Sequence, residues 1–264
     1  LSSCLKQRGH EVNLVFDPAL FNDQRIFSNP RLYKIFNNSS KLIKDVLESQ
    51  PDLVGFSVFT NNYQWARDLA ERIKKEIDVP IIFGGIHPTS CPEEVIKQSF
   101  IDMVCVGDGE EAVLELAESL ERGEVNHNIK NIWFKQNGNL IRNEIRPLIE
   151  NLDQIPLPDK MLFYDKSTPM QEKYIILTSR GCPYNCNYCL NSVIKRIYKD
   201  KGRYIRTRSV NHVLKELKWA KENFKPRGIA FVDAHFPYNL KWLREFTPRY
   251  KEEIGFPFTC EIHP

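Results

Sequence analysis

The sequence predicts an α/β chain made of two successive alternations of strands and helices, and three observations carry that expectation. Short Val/Ile/Phe runs alternate with amphipathic helical stretches over the first 123 residues, the same alternation resumes at residue 173, and glycines stand just past the ends of the runs. Strand runs that are apolar throughout, rather than at every second residue, mark a parallel sheet covered on both faces. The pattern specifies a doubly wound domain followed by a second βαβαβ unit.

In chain order, a helix is expected over 2–9, and strands over 11–16, 52–59, 80–84 and 102–106. Helices fall at 41–47, 65–77 and 110–122. In 65–77, Ala66, Leu69, Ala70, Ile73 and Ile77 share one stripe, and in 110–122 Val113, Leu116, Ala117 and Leu120 do the same. Residues 17–40 are irregular and receive no role. Within 131–143, IWFKQ and LIRNE flank Asn137-Gly138, the signal of a type I′ hairpin. The prolines of NLDQIPLPD, over 151–159, mark an extended linker. From residue 173, strands are expected at 174–177, 228–232 and 258–262 and helices at 210–224 and 240–253. The organisation read from this is 1–125, a doubly wound domain; 126–170, hairpin and linker; and 171–264, the second α/β unit.

The 264 residues suffice for two cores. An apolar share of 42% and a charged share of 27% exclude wholesale disorder. Thirty-seven Lys and Arg against 34 Asp and Glu give a net +3, a balance that neither suggests nor excludes nucleic acid; no basic run dominates, and no nucleic-acid partner is predicted. No apolar stretch approaches the roughly 20 residues of a membrane helix. No secretory pattern opens the chain, and a cytoplasmic location is expected.

Seven cysteines stand at 4, 91, 105, 182, 186, 189 and 260. Three of them form Cys182-Pro-Tyr-Asn-Cys186-Asn-Tyr-Cys189, a CxxxCxxC directly after the first strand of the second unit. Such crowding is unlike a secreted disulfide framework and points to a metal site in a reducing compartment. Three thiolates can wrap three irons of a 4Fe-4S cubane and leave the fourth open to a small chelating molecule. Two other readings stay open. Structural zinc needs four ligands, the fourth being Cys260 or His235, and the three cysteines could be buried free thiols. The remaining cysteines read as structural, Cys105 as a small hydrophobe in a strand.

On these residues the chain resembles the radical S-adenosylmethionine superfamily, whose signature is this CxxxCxxC in the loop after the first barrel strand. The resemblance implies that Cys182, Cys186 and Cys189 hold a 4Fe-4S cluster and that Tyr188 packs by the adenine. It also implies that S-adenosylmethionine is chelated through its amino and carboxylate groups and cleaved to methionine and a 5′-deoxyadenosyl radical. Arg206-Thr-Arg-Ser209 and Phe231-Val-Asp233-Ala-His-Phe236-Pro-Tyr-Asn239 look like segments of one branch of the superfamily. In that branch the second strand ends in two acids, whereas here Ala234 follows Asp233. Asp233 is read either as a contact to the amino group of S-adenosylmethionine or as a strand-end or capping residue.

That branch carries an N-terminal Rossmann-like cobalamin-binding domain. The first 123 residues resemble it through Gly55-Phe-Ser57-Val-Phe-Thr60, Gly84-Gly-Ile-His-Pro-Thr89 and Val106-Gly-Asp-Gly109-Glu110. Each segment follows a strand, where ligands of open α/β sheets bind. The cobalamin contacts implied are Ser57, Thr60, Gly84, Gly85, His87, Thr89, Gly107, Gly109 and Glu110, although the glycines serve equally as βα turns. The D-x-H-x-x-G that gives many such domains a cobalt ligand would lie before Leu1. Asp233-Ala-His235 echoes it in the wrong domain, with Tyr238 at the glycine position.

The function implied is a radical enzyme using the cluster, S-adenosylmethionine and cobalamin for methyl transfer to an unactivated centre of a small molecule. Its electron donor would be a protein such as flavodoxin or ferredoxin. Two alternatives stand beside it: radical chemistry without methylation, such as ring formation, over a vestigial cobalamin domain, and a metal-stabilised binding module. The resemblance implies a partial (β/α)6 barrel of which 171–264 supplies the first three strands. The chain is therefore expected to be a piece truncated at both ends, able to hold a cluster but not to catalyse.

Overall fold

The apolar runs of the first half become a sheet whose inner strands are buried on both sides. The computed structural model describes residues 1–17, 22–23, 27–28, 38–136, 138–164, 166, 172–237 and 239–262. The chain packs as two units, one of Leu1 and Leu5–Ile145, the other of Ser2–Cys4 and Arg146 onward.

The chain opens with helix α1 (Ser2–Lys6), shorter than its sequence pattern, and turns at Gly9, where φ is +88°. Residues 11–16 form no strand; Val15 nevertheless packs on the core. A two-residue antiparallel ladder, β1 (Asn22–Asp23) with β2 (Phe27–Ser28), lies in the stretch that the sequence left unassigned. Then follow α2 (Ser39–Glu48), β3 (Val54–Ser57), α3 (Tyr63–Glu76) and β4 (Ile81–Gly84). Two short helices come next, α4 (Ile86–Ser90) and α5 (Pro92–Ile96), before β5 (Met103–Cys105) and α6 (Glu110–Glu121). The hairpin forms as β6 (Ile132–Gln136) and β7 (Asn139–Arg142). Asn137 of its turn lies outside the described residues, and Gly138 takes the positive φ, +77°, that the turn requires.

The sheet runs β3-β4-β5-β6-β7, parallel from β3 to β5 and antiparallel beyond. Successive residues of its middle strands feed opposite layers. Ile81, Phe83 and Val104 pack with Leu42 and Val46 of α2 and with Leu69 and Ile73 of α3. Ile82, Met103 and Cys105 pack with Ala112, Val113 and Leu116 of α6 and with Phe134 of β6. This is the doubly wound arrangement. β3 departs from it, with Gly55 and Ser57 exposed, because it lies at the edge of the sheet.

In the second unit the stretch after Ile145 includes a 3₁₀ turn, Leu152–Gln154, started by the Asn151 side chain, and helix α7 (Met161–Tyr164). Strand β8 (Lys173–Ile176) leads to β9 (Ser179–Arg180), helix α8 (Leu190–Ile197), β10 (Arg206–Thr207) and α9 (Val210–Asn223). β11 (Gly228–Phe231), α10 (Leu240–Glu253) and β12 (Phe258–Cys260) complete the unit. β8, β11 and β12 pair in that order, all parallel. Tyr174, Ile176, Ile229 and Phe231 bury against α9 and α10 in one cluster, so both helices cover the same face. A parallel sheet with consecutive neighbours and helices on one face is the geometry of a βα-barrel segment. Among the described residues, no helix is long and apolar enough to cross a membrane.

Candidate functional site

Two sets of residues stand where chemistry is expected, one in each unit. In the first unit they line the carboxyl ends of β3, β4 and β5. Val58, just after β3, donates its N–H to the Gly84 carbonyl at 2.8 Å, and its own carbonyl accepts from the His87 N–H at 3.1 Å. Gly85 has φ +103°, and a Cβ there would stand 2.9 Å from the Val58 nitrogen and oxygen. Only glycine permits that approach.

Thr89 is buried, and its hydroxyl donates to the Gly85 carbonyl at 2.7 Å while accepting from the Gly107 N–H at 3.0 Å. It therefore ties the turn after β4 to the turn after β5 instead of facing outward. Gly109 caps α6, where a Cβ would press on the Cys105 sulfur at 3.3 Å. Glu110 opens the first turn of α6, where the helix dipole favours a carboxylate. Asn131, which the sequence reading missed, is wholly buried at φ +72° and donates its side-chain amide to the Asp108 carbonyl at 2.7 Å. Its only sequence signal is the tolerance of asparagine for left-handed backbone.

His87 is held on two sides. Its Nδ1 lies 3.2 Å from the Thr60 hydroxyl, and its ring sits 4.2 Å from that of Tyr63. Its Nε2 is buried and makes no hydrogen bond among the described residues. Burial holds the imidazole below its ordinary pKa, so it is neutral near pH 7. Ser57 and Thr60 are exposed, as are the neighbouring Phe59 and Ile86. The edge thus offers hydroxyls, backbone at glycines and exposed apolar side chains, a surface suited to a large, mixed-polarity ligand.

In the second unit the three cysteines follow β9. The loop that carries them is pinned at its base by the antiparallel pairs Ser179 with Thr207 and Arg180 with Arg206. Gly181 has φ +90° and packs so tightly on the Tyr204 carbonyl that no Cβ would fit. Cys182 is buried, Cys186 and Cys189 are half-buried, and all three are free thiols. Cys189 caps α8, and the Asn191 amide donates to its sulfur at 3.6 Å. Tyr188 is 93% exposed, an aromatic face with almost nothing packed on it.

Among the described residues, no three His, Cys, Asp or Glu side chains stand close enough together to hold a metal ion. Metal sites are rarely preformed without the ion, since only the cation offsets the mutual repulsion of thiolates. The donor set itself fits a cluster: three free thiols on one short loop with a fixed base. Beside it lies a cavity of about 590 Å³, lined by Ser179, Gly181, Arg203, Thr207, His235 and Asn239 among others.

Asp233, two residues beyond β11, is 2% exposed. Its Oδ1 accepts from the Thr178 N–H (2.9 Å) and hydroxyl (3.0 Å) and from the Ser179 N–H and hydroxyl (both 2.6 Å). Oδ2 is buried without a hydrogen bond. Burial pushes the carboxyl above its ordinary pKa, against the pull of those four donors. Nearby burial also raises the Cys260 thiol, with Glu261 and Asp233 adding to the effect.

A second buried polar group escaped the sequence reading. Glu216 of α9, 1% exposed, pairs with Arg208 at 2.6 Å and Lys160 at 3.5 Å, and accepts from the Tyr174 hydroxyl at 2.9 Å. Arg208 also donates to the Leu177 carbonyl at 2.8 Å, and its own carbonyl accepts from the Trp242 indole at 2.8 Å. Arg206 donates to the Ile149 carbonyl at 2.9 Å, and Ser209 caps α9. The Arg206–Ser209 segment therefore joins β8, α9, α10 and the stretch before α7. Burial lowers the Lys160 pKa, opposed by Glu216, and raises that of Tyr174.

Comparison with known proteins agrees with both halves. Residues 1–117 match the B12 binding domain family. An uncharacterized methyltransferase of Pyrococcus horikoshii is 33% identical over 223 residues, covering 83% of this chain and 46% of that protein. An anaerobic magnesium-protoporphyrin IX monomethyl ester cyclase of Rubrivivax gelatinosus is 27% identical over 75% of this chain and 35% of its own length. The chain thus spans less than half the length of these curated relatives. In fold it resembles the radical S-adenosylmethionine methyltransferase TsrM of Kitasatospora setae, with a TM-score of 0.69 and 19% identity over 96% of this chain and 48% of that one. Residues 1–117 thus carry the B12 binding domain match, and the chain as a whole shares its fold with a radical S-adenosylmethionine methyltransferase.

Proposed function

We propose that this chain is part of an enzyme that binds a 4Fe-4S cluster, S-adenosylmethionine and cobalamin and methylates an unactivated centre of a small molecule. The observation that carries the reading is the cysteine loop, with three free thiols beyond a fixed base at the carboxyl side of a parallel sheet. When bound, these groups supply reductive cleavage of S-adenosylmethionine to methionine and a 5′-deoxyadenosyl radical, with cobalamin as methyl carrier.

Cys182, Cys186 and Cys189 hold the cluster, and Tyr188 lies over the adenine. Ser57, Thr60, Gly84, Gly85, His87, Gly107, Gly109 and Glu110 form the cobalamin edge, with Thr89 holding two of its turns in place. A neutral His87 can accept a hydrogen bond from an amide of the ligand. The electron comes from a protein such as flavodoxin or ferredoxin, in the cytoplasm. Ring formation is the second reading, favoured by the likeness to the Rubrivivax cyclase.

Anaerobic reconstitution followed by iron, sulfide and bound-cobalamin analysis tests the proposal. The chain should take up four irons per 4Fe-4S cluster, and Cys186→Ala should lose them. One zinc and no iron would overturn it. Methyl-labelled S-adenosylmethionine given to the full-length enzyme separates methylation, which transfers the label, from ring formation, which does not.

A further inference from the structure

We propose that Asp233 is a positioning residue for the cysteine loop: its Oδ1 fixes Thr178 and Ser179, and so sets the point from which Cys182 is presented. The inference rests on the cluster reading above and adds to it a residue from a different strand.

Four donors from two consecutive residues converge on one oxygen of a carboxylate that is almost wholly buried. Burying a carboxylate is costly unless donors surround it, and these donors all belong to the segment that leads into the loop. Ser179 and Cys182 are three residues apart, roughly 10 Å of fully extended chain. Within that span Arg180 is held in the β9–β10 ladder, and Gly181 is wedged on the Tyr204 carbonyl. Little slack separates the oxygen on Asp233 from the first thiol. Asp233 in turn is fixed by β11, which pairs with β8 residue by residue up to Ile176 opposite Phe231. The end of the second strand thereby sets the exit of the first. The sequence leaves Asp233 either as a contact to a bound amino group or as a strand-end or capping residue; in the structure Oδ1 accepts from Thr178 and Ser179.

Three variants test this in the chain as it stands: Asp233→Asn, which keeps Oδ1; Asp233→Ala, which removes it; and the double variant Thr178→Val with Ser179→Ala, which removes two donors and leaves Asp233. Two quantities are read. One is the alkylation rate of Cys182 in the iron-free chain, followed by peptide mass spectrometry. The other is cluster content and its electron paramagnetic resonance signal after reconstitution. Asp233→Ala should speed alkylation by about fivefold or more, as expected for a loop released from a buried anchor, and should lose most of the cluster signal. The double variant should move both readings in the same direction, and it carries the test if Asp233→Ala does not fold. Asp233→Asn should stay near wild type in both. Wild-type readings for Asp233→Ala or for the double variant would overturn the proposal. So would an Asp233→Asn as impaired as Asp233→Ala, which would assign the effect to charge. If wild type takes up no iron, the cluster reading fails, while the alkylation rates still decide the role of Asp233.

Discussion

The Thr89 hydroxyl accepts a hydrogen bond from the Gly107 N–H at 3.0 Å, across 18 residues of sequence and from one βα turn to the next. The same hydroxyl donates to the Gly85 carbonyl at 2.7 Å. Thr89→Val keeps the shape and removes both bonds, leaving the partly buried Gly107 N–H without its acceptor, a loss of about 1–3 kcal/mol. Thr89→Ser keeps the hydroxyl and should cost less. Urea unfolding followed by circular dichroism reads the difference. The Val variant should also bind cobalamin more weakly than wild type; equal stability of Val and Ser would remove the clasp.

Gly85 and Gly123 both have positive φ but in different surroundings, which separates strain from contact. Gly85 lies at φ +103° and ψ −165°, a region essentially confined to glycine, with the Val58 backbone 2.9 Å from any added Cβ. Gly123, at φ +75°, has open space around it. Gly123→Ala should cost about 1–2 kcal/mol, the left-handed penalty alone. Gly85→Ala should cost about 3 kcal/mol or more, since the clash adds to the strain. Matching unfolding midpoints for the two would show that the Val58 approach can relax freely.

Sequence reasoning reached far where periodicity or spacing is the cause of structure. The buried strands at Ile81–Gly84 and Met103–Cys105 are legible because both faces are covered, so every residue is apolar. The CxxxCxxC is legible because three of the seven cysteines fall within eight consecutive residues. Residues 11–16 are rich in Val, Leu and Phe like a strand, yet form none, and Val15 packs on the core only partly buried. Asn131, Glu216 and the dual role of Thr89 were beyond reach. Each acts through partners distant in sequence, 23 residues for Asn131 and Asp108, and no local pattern encodes such a meeting. Asp233 is legible as a strand-end residue, but its partners Thr178 and Ser179 are not, since position at a strand end does not say which donors a carboxylate meets.

Glu216 and Arg208 form the most deeply buried ion pair among those described, with side-chain exposures of 1% and 9%. Removing one partner leaves the other charge buried without compensation, about 3–5 kcal/mol. Glu216→Gln should therefore lower the unfolding midpoint strongly, because Lys160 and Arg208 then lose their anion together. Glu93→Gln, at an exposed pair with Arg142, should move the midpoint far less, because solvent screens that pair. The contrast between the two is the measurement, and comparable losses would contradict the burial argument.

Acidification should destabilise the chain before any carboxylate titrates. Arg208 donates from Nε to Nδ1 of His212 at 3.0 Å, which requires an unprotonated Nδ1 and a neutral ring. Burial, first, and the Arg208 charge, second, hold its pKa below the usual 6.5, with Lys215 adding; Asp153, 3.3 Å away, and Glu216 oppose them without winning. His87 is depressed by burial alone. For a histidine whose folded pKa lies below the unfolded value, the unfolded chain takes up the proton first as pH falls. Its stability contribution is whole above the unfolded pKa and shrinks as pH drops through 6.5 toward the folded pKa. Asp233, raised by burial, works in the opposite sense, over a window that runs upward from the ordinary 3.8. The urea midpoint should fall steadily from about pH 8 to about pH 5.5, the span over which an unfolded-state histidine charges. His212→Gln and His87→Gln should each flatten that slope. A midpoint that stays level or rises on acidification would mean that neither ring is held neutral by its surroundings.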